Sequence, residues 1–150
     1  MEKQTDINEK MRAILVDWLV DVHSKFKLVN ETLFLTINLI DRFLEKCQVT
    51  RKNLQLIGVT CMFIATKYEE IYPPDLSDFV YVTDKAYTKF QILNMEGKIL
   101  QTLSFNITIN SSYLFLARFS NLLRVNRKIY LLARYLIELA LVEYGMLKFS

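Results

Sequence analysis

Apolar residues return every three or four positions along almost the whole chain, the period of an amphipathic helix, and in one stretch the polar positions vanish. Leu54, Leu56, Ile57, Val59, Cys61, Met62, Phe63, Ile64 and Ala65 point in every direction around a helix. A helix that is apolar all round must be enclosed by other helices. Arg51–Glu70 is therefore expected to be a buried central helix, with Thr50 as its N-cap and Pro73-Pro74 preventing its continuation. Gly58, Thr60 and Ala65 are small enough to let neighbouring backbones come close.

The flanking segments carry the more usual one-sided pattern. Asp6 is expected to open the first helix, with Glu9 as its capping-box partner, and the helix runs to about Phe26. Met11, Ile14, Leu15, Trp18, Leu19, Val22 and Phe26 share a broad face, and Asp17, Asp21 and Ser24 form a narrow polar strip. Asn30 is expected to cap a second helix, in which Leu33, Ile37, Ile40 and Leu44 repeat at helical spacing. DLSDFVYV is long enough for one or two turns, and Thr88 with Gln91 forms a capping box for KFQILNMEGKILQTL. Five helices thus occupy residues 6–110, ending in the connector SFNITIN. Two more follow in 111–150, SSYLFLARFSNLL and the very apolar Asn126–Phe149. In the latter, Arg134, Leu136, Ile137, Leu141 and Glu143 echo Arg12, Ile14, Leu15, Leu19 and Asp21 of the first helix, which points to an incomplete second copy of the unit. The expectation is of a fragment or short form, whose uncovered last helix packs back onto the first unit or self-associates with another chain.

Composition removes several classes of function. With 3 Gly and 2 Pro in 150 residues, composition argues against an all-β fold with many tight turns, and the expected fold class is all-α. The net charge of +3 comes from 19 basic and 16 acidic residues scattered through the chain, which argues against nucleic acid as a partner. Cys47 and Cys61 lack metal-ligand spacing and there is a single histidine, His23, so no zinc set, metal site or cofactor is expected. Two free thiols fit a reducing compartment, nucleus and cytoplasm. No segment has the length and continuous apolar character of a membrane span. No nucleophile-and-base arrangement is present, so no catalytic residues are assigned and an enzyme is not expected. His23 is read as a packing residue, and Asp78 and Asp84 as helix-end residues.

Two charges break the apolar pattern. Glu96 has Ile92, Leu93, Ile99 and Leu100 one turn either side, and Lys67 follows Phe63 and Ile64. An unpaired charge on such a stripe is costly unless its end reaches water, which is the commoner arrangement. Together the two would form a pair that also offers hydrogen bonds to a partner's backbone. On the first helix, an apolar shelf of Met11, Ile14 and Trp18 beside Asp17 and Asp21 complements a peptide with one basic and one large apolar side chain. Ordinary core packing with solvated aspartates is the alternative.

The segments MRAILVDWLVDV, ETLFLTINLIDRFL, LQLIGVTCMFIATKYEEIYPP and VYVTDKAYTKFQILNMEGKILQTLSF resemble, in that order, the first box of A- and B-type (mitotic) cyclins. The resemblance covers roughly Asp6 to Asn110 and implies a five-helix cyclin box around a buried third helix. It also implies a regulatory subunit that binds and activates a cyclin-dependent protein kinase and does no chemistry itself. The implied kinase-binding residues are Lys67 and Glu96 with Ile64, Tyr68, Phe105 and Ile107. The implied docking groove, for substrates and inhibitors bearing Arg-x-Leu, uses Met11, Ile14, Leu15, Trp18, Asp21, Arg51, Leu54 and Gln55. Asp21 stands where the family commonly has the longer glutamate. The resemblance further implies a structural salt bridge between Arg12 and Asp41. The alternative function is a cyclin-fold scaffold that binds transcription factors or nucleic acid without a kinase.

Overall fold

A computed structural model describes residues 4–149, and among them it contains seven α-helices, one 3-10 segment and no strand. In chain order these are α1 (Glu9–Phe26), α2 (Asn30–Lys46), α3 (Arg51–Glu69), α4 (Leu76–Val82), α5 (Lys89–Thr102), α6 (Ser112–Leu122) and α7 (Arg127–Val142), followed by the 3-10 segment Tyr144–Phe149. The first five form the box that the periodicity predicts. α3 runs through its centre, with every residue from Leu56 to Thr66 buried, and packs against α1, α2, α4 and α5. Val16, Leu19, Leu35, Leu39, Ile40, Val59 and Met62 are wholly enclosed where these helices meet. Phe79 of α4 closes one end, edge-on to Phe26 and Phe63 at 5.4 and 5.3 Å between ring centroids. Among the described residues no helix is long and apolar enough to cross a membrane.

Several helix ends are held differently from the sequence expectation. α1 starts at Glu9 rather than Asp6, with Asn8 as N-cap accepting from the Met11 amide at 3.0 Å. Asp6 instead caps α3, its carboxylate accepting from the Arg51 amide at 2.8 Å, while Thr50 occupies the N-cap position without a side-chain bond. Asn30 is the first residue of α2, not its cap. That cap comes from Glu70, whose carboxylate accepts from the Val29 amide at 2.8 Å and the Thr32 hydroxyl at 2.6 Å. The Thr88/Gln91 box forms as read; Asp78 is a helix-end residue, in a capping box with Asp75, and Asp84 lies in the left-handed region (φ 53°) just after α4.

The helix expected over 126–149 is broken. α7 ends at Val142, because Glu143 is extended and its carboxylate accepts from the Gly145 amide at 3.2 Å, turning the chain into the 3-10 segment. Neither α6 nor α7 buries a whole residue. α6 is fixed by Tyr113, stacked on Phe34 of α2 at 5.8 Å, and α7 by its C-terminal end, where Leu141 and Val142 meet the core. Ile129, Leu132, Leu136 and Leu139 remain exposed. The end of the last helix therefore does pack back onto α1, while nearer its start the Tyr130 hydroxyl donates to that of Tyr113 in α6 at 3.1 Å.

Candidate functional site

Two surfaces gather the residues singled out in the sequence. The first lies at the C-terminal end of α3. Here α3 and α5 pack side by side, and this brings Lys67 and Glu96 together as a salt bridge. The Glu96 side chain is 12% exposed and that of Lys67 43%, so the carboxylate sits low in the surface and the ammonium above it. Lys67 Nζ also lies 4.3 Å from the centroid of the Phe63 ring, a cation–π contact that lets the charge rest on an apolar wall. Both charges are thus paired, yet the carboxylate keeps lone pairs and the ammonium keeps protons for a partner.

Around the pair stand exposed apolar groups. Tyr68 is half exposed and its hydroxyl lies 2.6 Å from the Thr108 hydroxyl, while Phe105 is 66% exposed and Ile107 half-buried. Ile64 departs from the expectation. It is 3% exposed and belongs to the core, because the all-apolar stretch of α3 is enclosed as far as Thr66, so it supports this surface without forming it. Ile71 and Tyr72, which were not singled out in the sequence, are almost fully exposed just beyond α3. Their signal was two large apolar residues ahead of Pro73-Pro74, where no helix remains to bury them. Nearby, Glu69 is half-buried, and its carboxyl is pushed above the usual range by burial, then by the charges of Glu31 and Glu70.

The second surface is a groove of about 370 Å³ between α1 and α3, lined by Met11, Ile14, Leu15, Trp18, Arg51, Leu54 and Gln55. Leu15 and Leu54 form a buried floor, Ile14 projects from one wall at 62% exposure, and Arg51 and Gln55 supply the polar edge. Asp21 lies outside this lining, exposed one turn beyond Trp18. The two helices come this close at Gly58, where an added Cβ would lie 2.7 Å from Leu15 Cδ1.

Arg12 and Asp41 make a forked ion pair, Nε to Oδ1 at 2.6 Å and Nη2 to Oδ2 at 2.7 Å. Arg12 is 1% exposed, and its remaining nitrogen, Nη1, donates to the Leu141 carbonyl at 2.9 Å. One side chain thus links α1, α2 and the end of α7. His23 Nε2 is 3.0 Å from the Val29 carbonyl, a packing role. Burial, followed by the charge of Asp41, pushes the Cys61 thiol far up, so it stays protonated and unreactive.

Comparison with known proteins places this geometry. Residues 1–108 match the family model described as the cyclin N-terminal domain. The chain is 55% identical over 150 residues to G2/mitotic-specific cyclin-1 of Medicago sativa subsp. varia, a match that covers 100% of this chain and 35% of that protein. It is 56% identical over 149 residues to Cyclin-B2-1 of Arabidopsis thaliana, covering 99% of this chain and 35% of that one. The chain therefore spans about a third of the length of these relatives. Among solved structures, a viral cyclin from herpesvirus saimiri superposes with a TM-score of 0.87 at 28% identity, covering 97% of this chain and 65% of the other.

Proposed function

Because the chain belongs to the cyclin family, we propose that it acts as a regulatory subunit, without catalysis of its own, that binds and activates a cyclin-dependent protein kinase during cell division. The observation that carries this reading is the Lys67–Glu96 ion pair set low in an otherwise apolar, solvent-facing surface. A kinase of this class is switched on when a mobile helix swings its glutamate toward the catalytic lysine. A partner shifts that equilibrium only by binding the active arrangement better than the inactive one. Exposed Tyr68 and Phe105 give a docked helix its apolar footing, and Lys67 and Glu96 offer a donor and an acceptor to backbone groups at the helix end. Those hydrogen bonds are met in one orientation of the helix.

The groove between α1 and α3 suits a different task. Its apolar floor accepts a leucine side chain, and Asp17 and Asp21 on the adjoining face of α1 favour a basic residue, so we assign it to Arg-x-Leu segments of substrates and inhibitors. α6 and α7 are read as the opening of a second box over residues 111–150. The test is a pull-down with a panel of cyclin-dependent kinases followed by an activity assay on the captured pair. Capture with a gain in kinase activity is expected. Capture of none of the panel would overturn the proposal.

A further inference from the structure

The turn that ends α5 is built in a conformation its residues do not favour. Ser104 and Phe105 are both left-handed, with φ of 53° and 57°, where glycine is the usual occupant and a bulky aromatic is an outlier. Leu103, just before them, is 2% exposed and anchored in the core, so the reversal throws Phe105 outward. The backbone bonds of the turn, Phe105 amide to the Leu100 carbonyl at 2.8 Å and Ser104 amide to the Gln101 carbonyl at 3.0 Å, are those of any helix end of this kind. Two further contacts come from other helices. Arg42 of α2 donates through Nη2 to the Asn106 carbonyl at 2.8 Å, and Tyr68 of α3 meets Thr108 hydroxyl to hydroxyl at 2.6 Å. They grip the chain on the C-terminal side of Phe105, from two directions.

We propose that Arg42 and the Tyr68–Thr108 hydroxyl pair are positioning residues that hold the Ser104–Thr108 turn in its strained form and so present Phe105 to the kinase in advance of docking. A strained backbone persists where its surroundings over-determine it, and such places are often used for recognition. A loop ordered before binding spares the complex the entropy of ordering it afterwards. The Tyr68 ring sits on the docking surface as well, so one side chain both touches the partner and fixes its neighbour. This inference rests on the kinase-docking reading above.

Tyr68→Phe and Thr108→Val each remove one hydroxyl and keep the shape, and Arg42→Met keeps the stem of the side chain. Amide hydrogen exchange across residues 104–108 of the whole chain is measured beside kinase affinity. Each variant is expected to exchange faster there, with the rest of the box unchanged, and to bind the kinase up to about tenfold more weakly, the range for losing one hydrogen bond. The Tyr68→Phe, Thr108→Val double variant should bind no more weakly than either single one, because the two share a bond. Faster exchange with unchanged affinity would overturn the positioning role while leaving kinase docking in place. Loss of affinity in Tyr68→Phe alone would assign the hydroxyl to the partner instead of to Thr108. A wild-type chain that binds no kinase would overturn the docking reading and this inference with it.

Discussion

Arg12 shows how much one side chain can hold in this protein. Its fork closes on Asp41 while its third nitrogen takes a carbonyl that the end of α7 would otherwise leave unpaired. Removing it leaves the half-buried Asp41 carboxylate unpaired and frees α7. Arg12→Ala should therefore lose about 3–5 kcal/mol in urea unfolding, the usual consequence of breaking one side of a buried pair. Arg12→Lys should recover little, since an ammonium cannot make the fork. Glu69 makes the opposite case. Its raised carboxyl means that folding disfavours the ionised form: below the unfolded carboxylate value nothing is lost, and the cost becomes full once pH exceeds the folded value. Glu69→Gln should then be more stable than wild type at neutral pH, with the gain fading as pH falls through the carboxylate range. Thermal unfolding across that range checks it.

At the scale of elements, the helices were legible in the sequence and several of their ends were not. Periodicity exposes a helix because its spacing is local, and the box at Thr88 was readable because cap and partner lie three residues apart. The caps of α2 and α3 come from Glu70 and Asp6, about forty positions away in sequence. No local pattern carries them: Asn30 looked like a cap but is the first residue of α2, and Thr50 holds the N-cap position of α3, as expected, without supplying a side-chain bond. The same limit applies to the Lys67–Glu96 surface: the misplaced charges were visible on their stripes, but their meeting depends on how α3 and α5 pack, and the burial of Ile64 on how far the core reaches. Glu70→Ala should destabilise the fold by about 1–2 kcal/mol, the scale of a lost N-cap, with increased amide exchange at the start of α2. Gly58 tests the packing of α1 on α3. Alanine there gains about 1 kcal/mol of helix propensity but must displace Leu15, and overpacking costs about 1–3 kcal/mol, so Gly58→Ala should be net destabilised and its groove narrowed. A more stable variant with an unchanged groove, seen by calorimetry and peptide titration, would show that Leu15 yields freely.

For the whole molecule, the two surfaces are separate: the groove opens between α1 and α3, and the ion pair sits where α3 meets α5. They share the buried helix but no surface residue. The proposed kinase dock and the proposed peptide dock can therefore be disabled one at a time, and this independence is the central claim. The direct measurement is kinase activation by a Lys67→Ala, Glu96→Ala double variant, beside its helical content by circular dichroism and its titration with an Arg-x-Leu peptide. The account predicts unchanged helicity, unchanged peptide binding, and kinase binding weakened by about 2 kcal/mol or more, the scale for truncating a desolvated charge at an interface, with activation lost in proportion. Full activation of the kinase by the folded double variant would contradict it.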